Sequence, residues 1–580
     1  MKADLAEKQA KPVLGWGSDV VAELLRRLGI KYVCVNPGSS FRGLHDSLIN
    51  YLGNEKPQML LSLHEQSVVA IAHGYYKASG EPMAVVLHSN VGLMAGMMSI
   101  FNAWCDRVPI LILGATGAVD SAVRRSWIDW NHTFRDQGAL IRHYVKWDEQ
   151  PATPRAQIDS VLRAWQAATT APRGPSYVIL DRRLQEDPLS GEIVLPDVAR
   201  YKPKMAAAPS EEMLARALSM LSKAKSIVML IGRVSLDRKH WDDRVRLAER
   251  LNARVVTDLR MGASFPTEHP LHGGPADLFL SPNDRAAIAT ADLVLSLDWY
   301  DLADTMLQAG GNARLISISI DHHAHNSYSG DHQRLAPIDL DMAVEPHMVV
   351  EGLLARLDVL RQSIAVREKS APAISGDSAA VPMLADIGQV MSKLREGRAI
   401  TLARAPLNWP AASYAFREPL DYLGYDGGGG VGSGPGMTVG AALALAGSGR
   451  IVVGIMGDGE FLGASPALWT AAHYNIPLLM VVANNRSYFT DEIQQETVAR
   501  ERKRPTANRW IGQRIDDPPV DIAGMARDFG VAAEGPIVKA GDLFAALERG
   551  IAAVECGKPY LVDVLVDPSR GASFDWLDDA

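Results

Sequence analysis

Two oxygen-bearing side chains stand directly after two apolar segments in the last third of the chain. Asp458 follows Ile451–Met456, and Asn485 follows Ile476–Ala483, with a helical pattern over Ala464–Tyr474 between them. A strand–helix–strand unit makes the two strands parallel, so both side chains are expected at one sheet edge, where open α/β sheets bind ligands. A carboxylate and an amide oxygen at that edge suit Mg²⁺ or Ca²⁺, and a diphosphate could complete the coordination.

Two glycines, Gly457 and Gly459, flank this aspartate. They would let backbone amides approach phosphate oxygens beside a helix N-terminus. Taken alone, Asp-Gly is typical of a turn and Asn-Asn of a loop. Their joint occurrence after two strands separated by a helix favours a metal and phosphate site.

The elements that must position these residues form three blocks of alternating strands and helices. Such alternation predicts an α/β fold with three doubly wound parallel-sheet domains. Segments rich in Pro, Ala, Ser or charge separate the blocks, near 187–210 and 367–380. We therefore predict domains over residues 12–190, 205–366 and 380–570.

Composition excludes several classes of protein. A net charge of -8 and a pI near 6.0 argue against a nucleic-acid-binding surface. The three cysteines, Cys34, Cys105 and Cys556, are far apart, which disfavours a disulfide framework or a zinc site and favours a reducing compartment. No segment reads as a membrane span or an export signal. We expect a cytoplasmic protein with no membrane partner.

The segment GDGEFLGASPALWTAAHYNIPLLMVVANN, residues 457–485, resembles the cofactor motif of thiamine-diphosphate enzymes. The segments NPGSSF and LHEQSVVAIAHGYYKASG are also similar to this family, and the closest members by eye are benzoylformate decarboxylase-like and acetohydroxyacid synthase-like. The resemblance implies a pyrimidine-binding domain, a central Rossmann-like domain and a diphosphate-binding domain, in that order. It also implies thiamine diphosphate and Mg²⁺ as cofactors.

The resemblance assigns catalytic roles to three residues of the first block. Glu65 matches the glutamate that faces the pyrimidine of the cofactor, and its place after the apolar strand Met59–Leu63 suggests a buried acid with a raised pKa. His88 matches an acid/base histidine, and Ser39 matches a polar active-site serine. Histidine suits proton transfer near neutral pH, and both residues lie at predicted strand ends.

The resemblance assigns cofactor and metal roles in the third block. Mg²⁺ would be bound by the side chains of Asp458 and Asn485 and by the backbone carbonyl of Ser487. Cofactor contacts are implied for the following residues: Gly457, Gly459, Glu460, Gly432 and Ser433.

Two departures from the family pattern stand out in the same block. Relatives place a bulky apolar residue in the glycine-rich loop, and our alignment puts Ser433 there, or Val431 if the register slips by two. Where relatives carry small hydroxyl residues near the diphosphate, this chain has Leu402-Ala403-Arg404. Backbone amides, or Arg404, would have to substitute.

The function implied is a 2-oxo acid decarboxylase that is at least a homodimer, and a homotetramer is also expected, because relatives build one cofactor site from two subunits. Phe134-Arg135-Asp136, where synthases show Phe-Gln-Glu, weakens a synthase assignment. A synthase-like carboligase and a C–C bond hydrolase on a diketone stay open. A non-catalytic cofactor-binding protein and a nicotinamide or flavin oxidoreductase are further alternatives. The central block lacks GxGxxG, which disfavours nicotinamide.

Overall fold

The computed structural model describes residues 4, 6, 7, 13–321, 334–357 and 378–568. Within them the chain forms three parallel β-sheets, each flanked by helices, in three successive domains. The predicted α/β fold class is confirmed. The elements of the domains span 17–186, 211–354 and 384–565, and the predicted limits 12, 366 and 570 fall outside the described residues.

The first domain has a six-stranded sheet in the order β2-β1-β3-β4-β6-β5. Its central strands are apolar and buried along their whole length, as expected for a parallel sheet covered on both faces. The strands are β1 (Tyr32–Val35), β2 (Gln58–Leu61), β3 (Met83–Leu87), β4 (Ile110–Thr116), β5 (Asp148–Glu149) and β6 (Ser176–Asp181). The helices are α1 (Gly17–Arg27), α2 (Arg42–Asp46), α3 (Glu65–Ser79), α4 (Ser89–Cys105), α5 (Ile128–Asn131), α6 (Pro154–Thr169) and α7 (Arg182–Glu186).

The central domain has a five-stranded sheet in the order β11-β10-β9-β7-β8. Its strands are β7 (Ile227–Ile231), β8 (Arg254–Thr257), β9 (Leu293–Leu297), β10 (Arg314–Ile318) and β11 (Leu340–Met342). Its helices are α8 (Glu211–Lys223), α9 (Arg238–Leu251), α10 (Pro282–Ala289), α11 (Leu302–Ala309) and α12 (Pro346–Leu354). The switch in strand order between β7 and β9 marks the point at which such sheets place a ligand crevice.

The third domain has a five-stranded sheet in the order β12-β13-β14-β16-β15. Its strands are β12 (Ala399–Arg404), β13 (Arg450–Gly457), β14 (Leu479–Asn484), β15 (Ala532–Ile537) and β16 (Tyr560–Leu565). Its helices are α13 (Leu384–Leu394), α14 (Gly434–Ala444), α15 (Asp458–Ala464), α16 (Ala467–Tyr474), α17 (Phe489–Glu501), α18 (Ile522–Asp528) and α19 (Ala540–Glu555).

The helix predicted over Ala464–Tyr474 is wrong in its start and continuity. The structure has α15, which begins at Asp458, and a separate α16 that follows Pro466. Proline has no backbone N–H and therefore cannot continue the hydrogen-bond ladder of the first helix. Asp458 is thus the first residue of a helix rather than part of a preceding turn.

Helices α3 and α14 join the first and third domains within one chain. A Cβ at Gly74 would lie 2.0 Å from the carbonyl oxygen of Met437, and a Cβ at Gly440 would lie 1.9 Å from that of Ile71. Both positions therefore need glycine, because the two backbones approach too closely for any side chain. This contact brings the N-terminal ends of the two helices together.

No helix in the described part of the chain combines the length and the apolar character needed to cross a bilayer. The three cysteines are free, with Cys34 buried and Cys556 exposed.

Candidate active site

Asp458 lies at the carboxyl edge of the third sheet, where β13 ends. It is the first residue of α15 and is only 2% exposed. The register pairs Gly457 with Ala483, so the loop after β14 lies beside it, and the Arg486 amide in that loop interacts with the Asp458 carboxylate. The structure therefore brings the Asp458 and Asn485 segments together, while their role as metal ligands stays a prediction.

The Asp458 carboxylate is buried without a cationic side chain. Burial raises its pKa to about 6, and the nearby Asp563 carboxylate adds to the rise. Among the described residues, no Lys, Arg or His forms an ion pair with Asp458. Because a buried carboxylate without a counter-ion is costly, the site is suited to a cation.

Asn485 and Ser487 form a tight loop after β14. The Asn485 Oδ1 accepts a hydrogen bond from the Ser487 backbone N–H at 2.9 Å. The Ser487 hydroxyl donates to Glu492 Oε1 at 2.5 Å, and the role of its carbonyl as a metal ligand stays a prediction. Arg486 between them has φ +55°, a strained conformation of the kind found at functional sites.

The donors on this edge fit Mg²⁺, which prefers oxygen ligands and keeps room for phosphate oxygens and water. Within the described ranges no three His, Cys, Asp or Glu side chains are grouped to hold a metal. The expected set of one carboxylate, one amide oxygen and one backbone carbonyl stays a prediction. The fit rests on Asp458, whose charge the protein itself leaves unpaired.

The two glycines that flank Asp458 differ in their surroundings. A Cβ at Gly459 would lie 2.5 Å from the Tyr488 ring, so the missing side chain makes room for that tyrosine. A Cβ at Gly457 would meet no described atom within 4 Å. The strand end at Gly457 therefore has the open space that an approaching phosphate needs, and both phosphate contacts stay predictions.

Glu460 belongs to a buried ion-pair network. Its Oε1 accepts hydrogen bonds from Arg404 Nε and from the Gly434 backbone N–H, both at 3.0 Å. The Arg404 guanidinium is fully buried, 3.4 Å from the Tyr425 ring centre and 3.4 Å from Asp426 Oδ2. Burial raises the pKa of Glu460, and Arg404 opposes that rise. Arg404 therefore pairs with the protein's own carboxylates, and the Glu460 backbone amide stays the predicted phosphate contact.

We expect Arg404→Met to destabilise the protein by about 3–5 kcal/mol, because it leaves Glu460 and Asp426 buried without their cation. Urea unfolding followed by circular dichroism measures this loss. As a control, Arg398→Met removes a partly exposed pair with Glu555 and should cost at most about 1 kcal/mol. Equal losses for the two variants would contradict the importance of the buried network.

The structure distinguishes the surroundings of Ser433 and Val431, the two residues that align with the family's bulky apolar residue. The Ser433 hydroxyl is buried and donates to Asp426 Oδ2 at 2.5 Å, so it faces the protein interior. Val431 is instead 53% exposed, and its carbonyl accepts a hydrogen bond from Gln66 Nε2 at 3.3 Å. A Cβ at Gly432 would lie 2.7 Å from the same nitrogen. Val431 is therefore the apolar side chain that this loop presents, and Gly432 permits the approach of Gln66.

Glu65 is the first residue of α3, and the preceding His64 caps that helix through Nδ1, which accepts from the Gln66 N–H at 3.1 Å. The carboxylate packs against the first turn of α4, where a Cβ at Gly92 would lie 2.8 Å from Glu65 Oε1. Glu65 is half-buried in the single chain, so the expected full burial is absent. The next residue, Gln66, donates to the glycine loop of the third domain, and the role of Glu65 toward the cofactor stays a prediction.

His88 directly follows β3, and its ring contacts two residues that sequence reasoning missed. Ser40 Oγ lies 2.8 Å from His88 Nδ1, and the His132 ring meets His88 edge-on at 4.6 Å between centroids. Ser39, the predicted serine, has a buried hydroxyl without a hydrogen-bond partner in the described chain. Burial lowers the pKa of His88 to about 4, with further contributions from His132 and Arg125, so the ring is neutral at pH 7.

Three family models match the chain in the order of its domains. They are the thiamine pyrophosphate enzyme N-terminal TPP binding domain over residues 15–140, the central domain over 214–336, and the C-terminal TPP binding domain over 407–564. Each match falls within one of the three sheet domains, and together they cover more than half of the chain. The protein belongs to the thiamine pyrophosphate enzyme family, whose cofactor is also called thiamine diphosphate.

Curated relatives and solved structures agree with this assignment. The chain is 27% identical over 565 residues to benzoylformate decarboxylase of Pseudomonas aeruginosa, covering 93% of this chain and 97% of the relative. It is 24% identical over 587 residues to a probable acetolactate synthase large subunit of Methanocaldococcus jannaschii, covering 96% and 92%. The crystal structure of benzoylformate decarboxylase from Polynucleobacter necessarius matches with a TM-score of 0.80 at 20% identity, covering 96% of this chain and all (100%) of that one. This last likeness supports the fold.

Proposed function

We propose that this protein is a thiamine-diphosphate- and Mg²⁺-dependent 2-oxo acid decarboxylase of the benzoylformate decarboxylase type. The observation that carries the proposal is the buried, unpaired Asp458 carboxylate beside the Asn485 loop, in a chain of this family. When bound, the cofactor supplies a carbon nucleophile for the ketone carbonyl and accepts the electrons left when carbon dioxide departs. The residues of the chain hold the cofactor and move protons.

Each site residue has a separate task in this proposal. Asp458, Asn485 and the Ser487 carbonyl would hold Mg²⁺, which would tie the diphosphate to the sheet edge. Glu65 would donate a hydrogen bond to the pyrimidine ring of the bound cofactor and support its proton uptake. His88 exchanges a proton with the substrate side, and Ser39 lies beside it as a polar contact. Backbone amides at the start of α15 and the Gly432 loop face the cofactor.

The first alternative is a synthase-like carboligase, in which an acceptor replaces the final proton. Asp136, where synthases carry glutamate, accepts hydrogen bonds from Arg142 at 2.8 and 3.0 Å and caps the short helix 137–140 through the Ala139 N–H. A carboxylate engaged in this way serves local structure. The decarboxylase is therefore preferred, and a C–C bond hydrolase on a diketone stays an alternative for the same site.

The second alternative is an oxidoreductase that binds a dinucleotide in the central domain. At the strand ends there Asp298 follows β9, and a Cβ at Gly232 would lie 2.1 Å from its carbonyl oxygen. Arg107 from the first domain donates to Asp298 Oδ2 and Asp321 Oδ2 at 2.6 and 2.7 Å. A cavity of about 760 Å³ lies beside these ion pairs, and the missing GxGxxG motif is what disfavours nicotinamide.

A non-catalytic cofactor-binding protein is disfavoured because Glu65, Asp458 and Asn485 are all present in the chain. We propose a small-molecule 2-oxo acid substrate, a homodimer or homotetramer, and a cytoplasmic location. The oligomer rests on the family resemblance, whereas α3 and α14 meet within one chain here. Light scattering with and without cofactor would establish the number of subunits.

Product analysis distinguishes these functions. The purified protein, loaded with thiamine diphosphate and Mg²⁺, is incubated with aromatic and aliphatic 2-oxo acids, with and without aldehyde acceptors. We expect carbon dioxide and the free aldehyde as products without an acceptor. Formation of a 2-hydroxy ketone in preference to aldehyde would establish the carboligase, and cleavage of a diketone alone would establish the hydrolase.

A further inference from the structure

The loop after β1, residues 36–40, packs directly against the His88 ring. A Cβ at Gly38 would lie 2.2 Å from His88 Cγ and 2.4 Å from Nδ1, so the imidazole lies directly against the backbone of that glycine. Any other residue at this position would push the ring away. The position of His88 is therefore set by residues 36–40 as well as by its own strand.

Ser40 fixes one nitrogen of the ring. Its Oγ lies 2.8 Å from His88 Nδ1, and the residue is only 1% exposed. The Ser40 carbonyl accepts a hydrogen bond from Gln185 Nε2 at 3.0 Å, which anchors the serine backbone in the domain interior. In either direction of the Ser40–His88 hydrogen bond, Nδ1 is occupied.

His132 closes the other side of the ring. The two imidazoles meet at an interplanar angle of 83°, and the His132 carbonyl accepts from Ser89 Oγ at 2.6 Å. Ser89 follows His88 directly and has φ +53°, a strained conformation that starts α4. His88 is therefore held from the Gly38 loop, from α4 and from the segment after α5.

The side chains that add to the effect of burial on the pKa of His88 are basic. His132 and Arg125 both lower the pKa of His88, and Arg125 is itself held by Asp129 at 2.9 Å. Among the described residues no carboxylate hydrogen-bonds to the ring. Nε2 has no hydrogen-bond partner there and keeps some exposed surface, so it reaches solvent. The neutral ring thus has one engaged nitrogen and one accessible nitrogen.

We propose that Ser40 is the positioning residue of His88, because by occupying Nδ1 it leaves Nε2 as the nitrogen that exchanges a proton with the substrate. This inference rests on the proposed function. It separates two adjacent serines: Ser40 acts through His88, whereas Ser39, with its unpartnered hydroxyl, does not touch the ring nitrogens.

A double-mutant cycle tests the coupling. Ser40→Ala is expected to lower kcat about 10-fold and to change KM less than about threefold, since part of the acid–base contribution of about 10²–10⁴-fold is lost. In the His88→Ala background the same change should have less than about a twofold effect. Ser160→Ala, which removes another buried serine hydroxyl bonded to Glu149, is the matched control with unchanged kcat. Equal losses from Ser40→Ala in both backgrounds would overturn the proposal.

A second measurement needs no turnover. Two-bond ¹H–¹⁵N spectra of the histidine-labelled, cofactor-free protein, with His88 assigned through His88→Ala, should show a hydrogen-bonded Nδ1 whose ¹⁵N shift changes in Ser40→Ala. A His88 Nδ1 shift that is the same in both proteins would overturn the inference. If the shift changes but no 2-oxo acid is decarboxylated, the positioning holds and the proposed function fails.

Discussion

Glu65→Gln is expected to reduce turnover of a 2-oxo acid by about 10²–10⁴-fold while cofactor binding stays within about threefold of the unmodified protein. The amide keeps the size of the side chain and its packing against Gly92, but it has no acidic proton to share with the pyrimidine ring. Steady-state kinetics measures turnover, and quenching of protein fluorescence by thiamine diphosphate with Mg²⁺ measures binding.

Glu81→Gln is the control for this change. Glu81 forms an exposed ion pair with Lys31 in the same domain, so its loss should leave both turnover and binding unchanged. Unchanged turnover in Glu65→Gln would remove Glu65 from the mechanism. Loss of cofactor binding in that variant, with normal thermal unfolding, would instead give Glu65 a binding role.

The second large effect on cofactor binding is expected at Asp458, at the carboxyl edge of the third sheet. Asp458→Ala should weaken Mg²⁺-assisted binding of thiamine diphosphate by at least about 100-fold, because it removes the expected carboxylate ligand. Even residues that only hydrogen-bond to metal ligands change metal affinity by about 10–100-fold. The variant also removes a buried unpaired charge, so we expect the metal-free protein to be no less stable than the unmodified one. Titration calorimetry with and without Mg²⁺ measures the first effect, and thermal unfolding measures the second.

Asp386→Asn provides a matched control within the same domain. Asp386 is another buried acid, but its carboxylate accepts from the Met383 N–H at the start of α13, far along the chain from Asp458. Cofactor binding should be unchanged in this variant. Retention of Mg²⁺-assisted binding in Asp458→Ala would exclude Asp458 as a ligand.

The fold could be predicted from the sequence because its strands are short, apolar and buried on both faces. The apolar segments Ile451–Met456 and Ile476–Ala483, predicted as strands, overlap β13 and β14. The nearness of Asp458 and Asn485 followed from the same pattern, since parallel strands end at one edge. The apolar pattern of the sequence is enough to place a residue that directly follows a strand.

The remainder of the site depends on rotations within loops, which periodicity does not encode. Ser39 and Ser40 are adjacent and chemically identical, and only the turn after β1 decides which hydroxyl reaches His88. Val431 and Ser433 differ by two positions in a glycine-rich loop whose register no side-chain pattern fixes. His132 comes from a segment without helical or strand spacing.

The close contact between α3 and α14 limits how these two helices can move relative to each other. Because Gly74 and Gly440 let backbone carbonyls meet the opposite helix, no rotamer change can alter the spacing there. Glu65 at the start of α3 and the glycine loop before α14 are therefore expected to move together as a rigid unit. Movements that change the spacing of these two helices are therefore not expected, and any opening of the site must involve other segments.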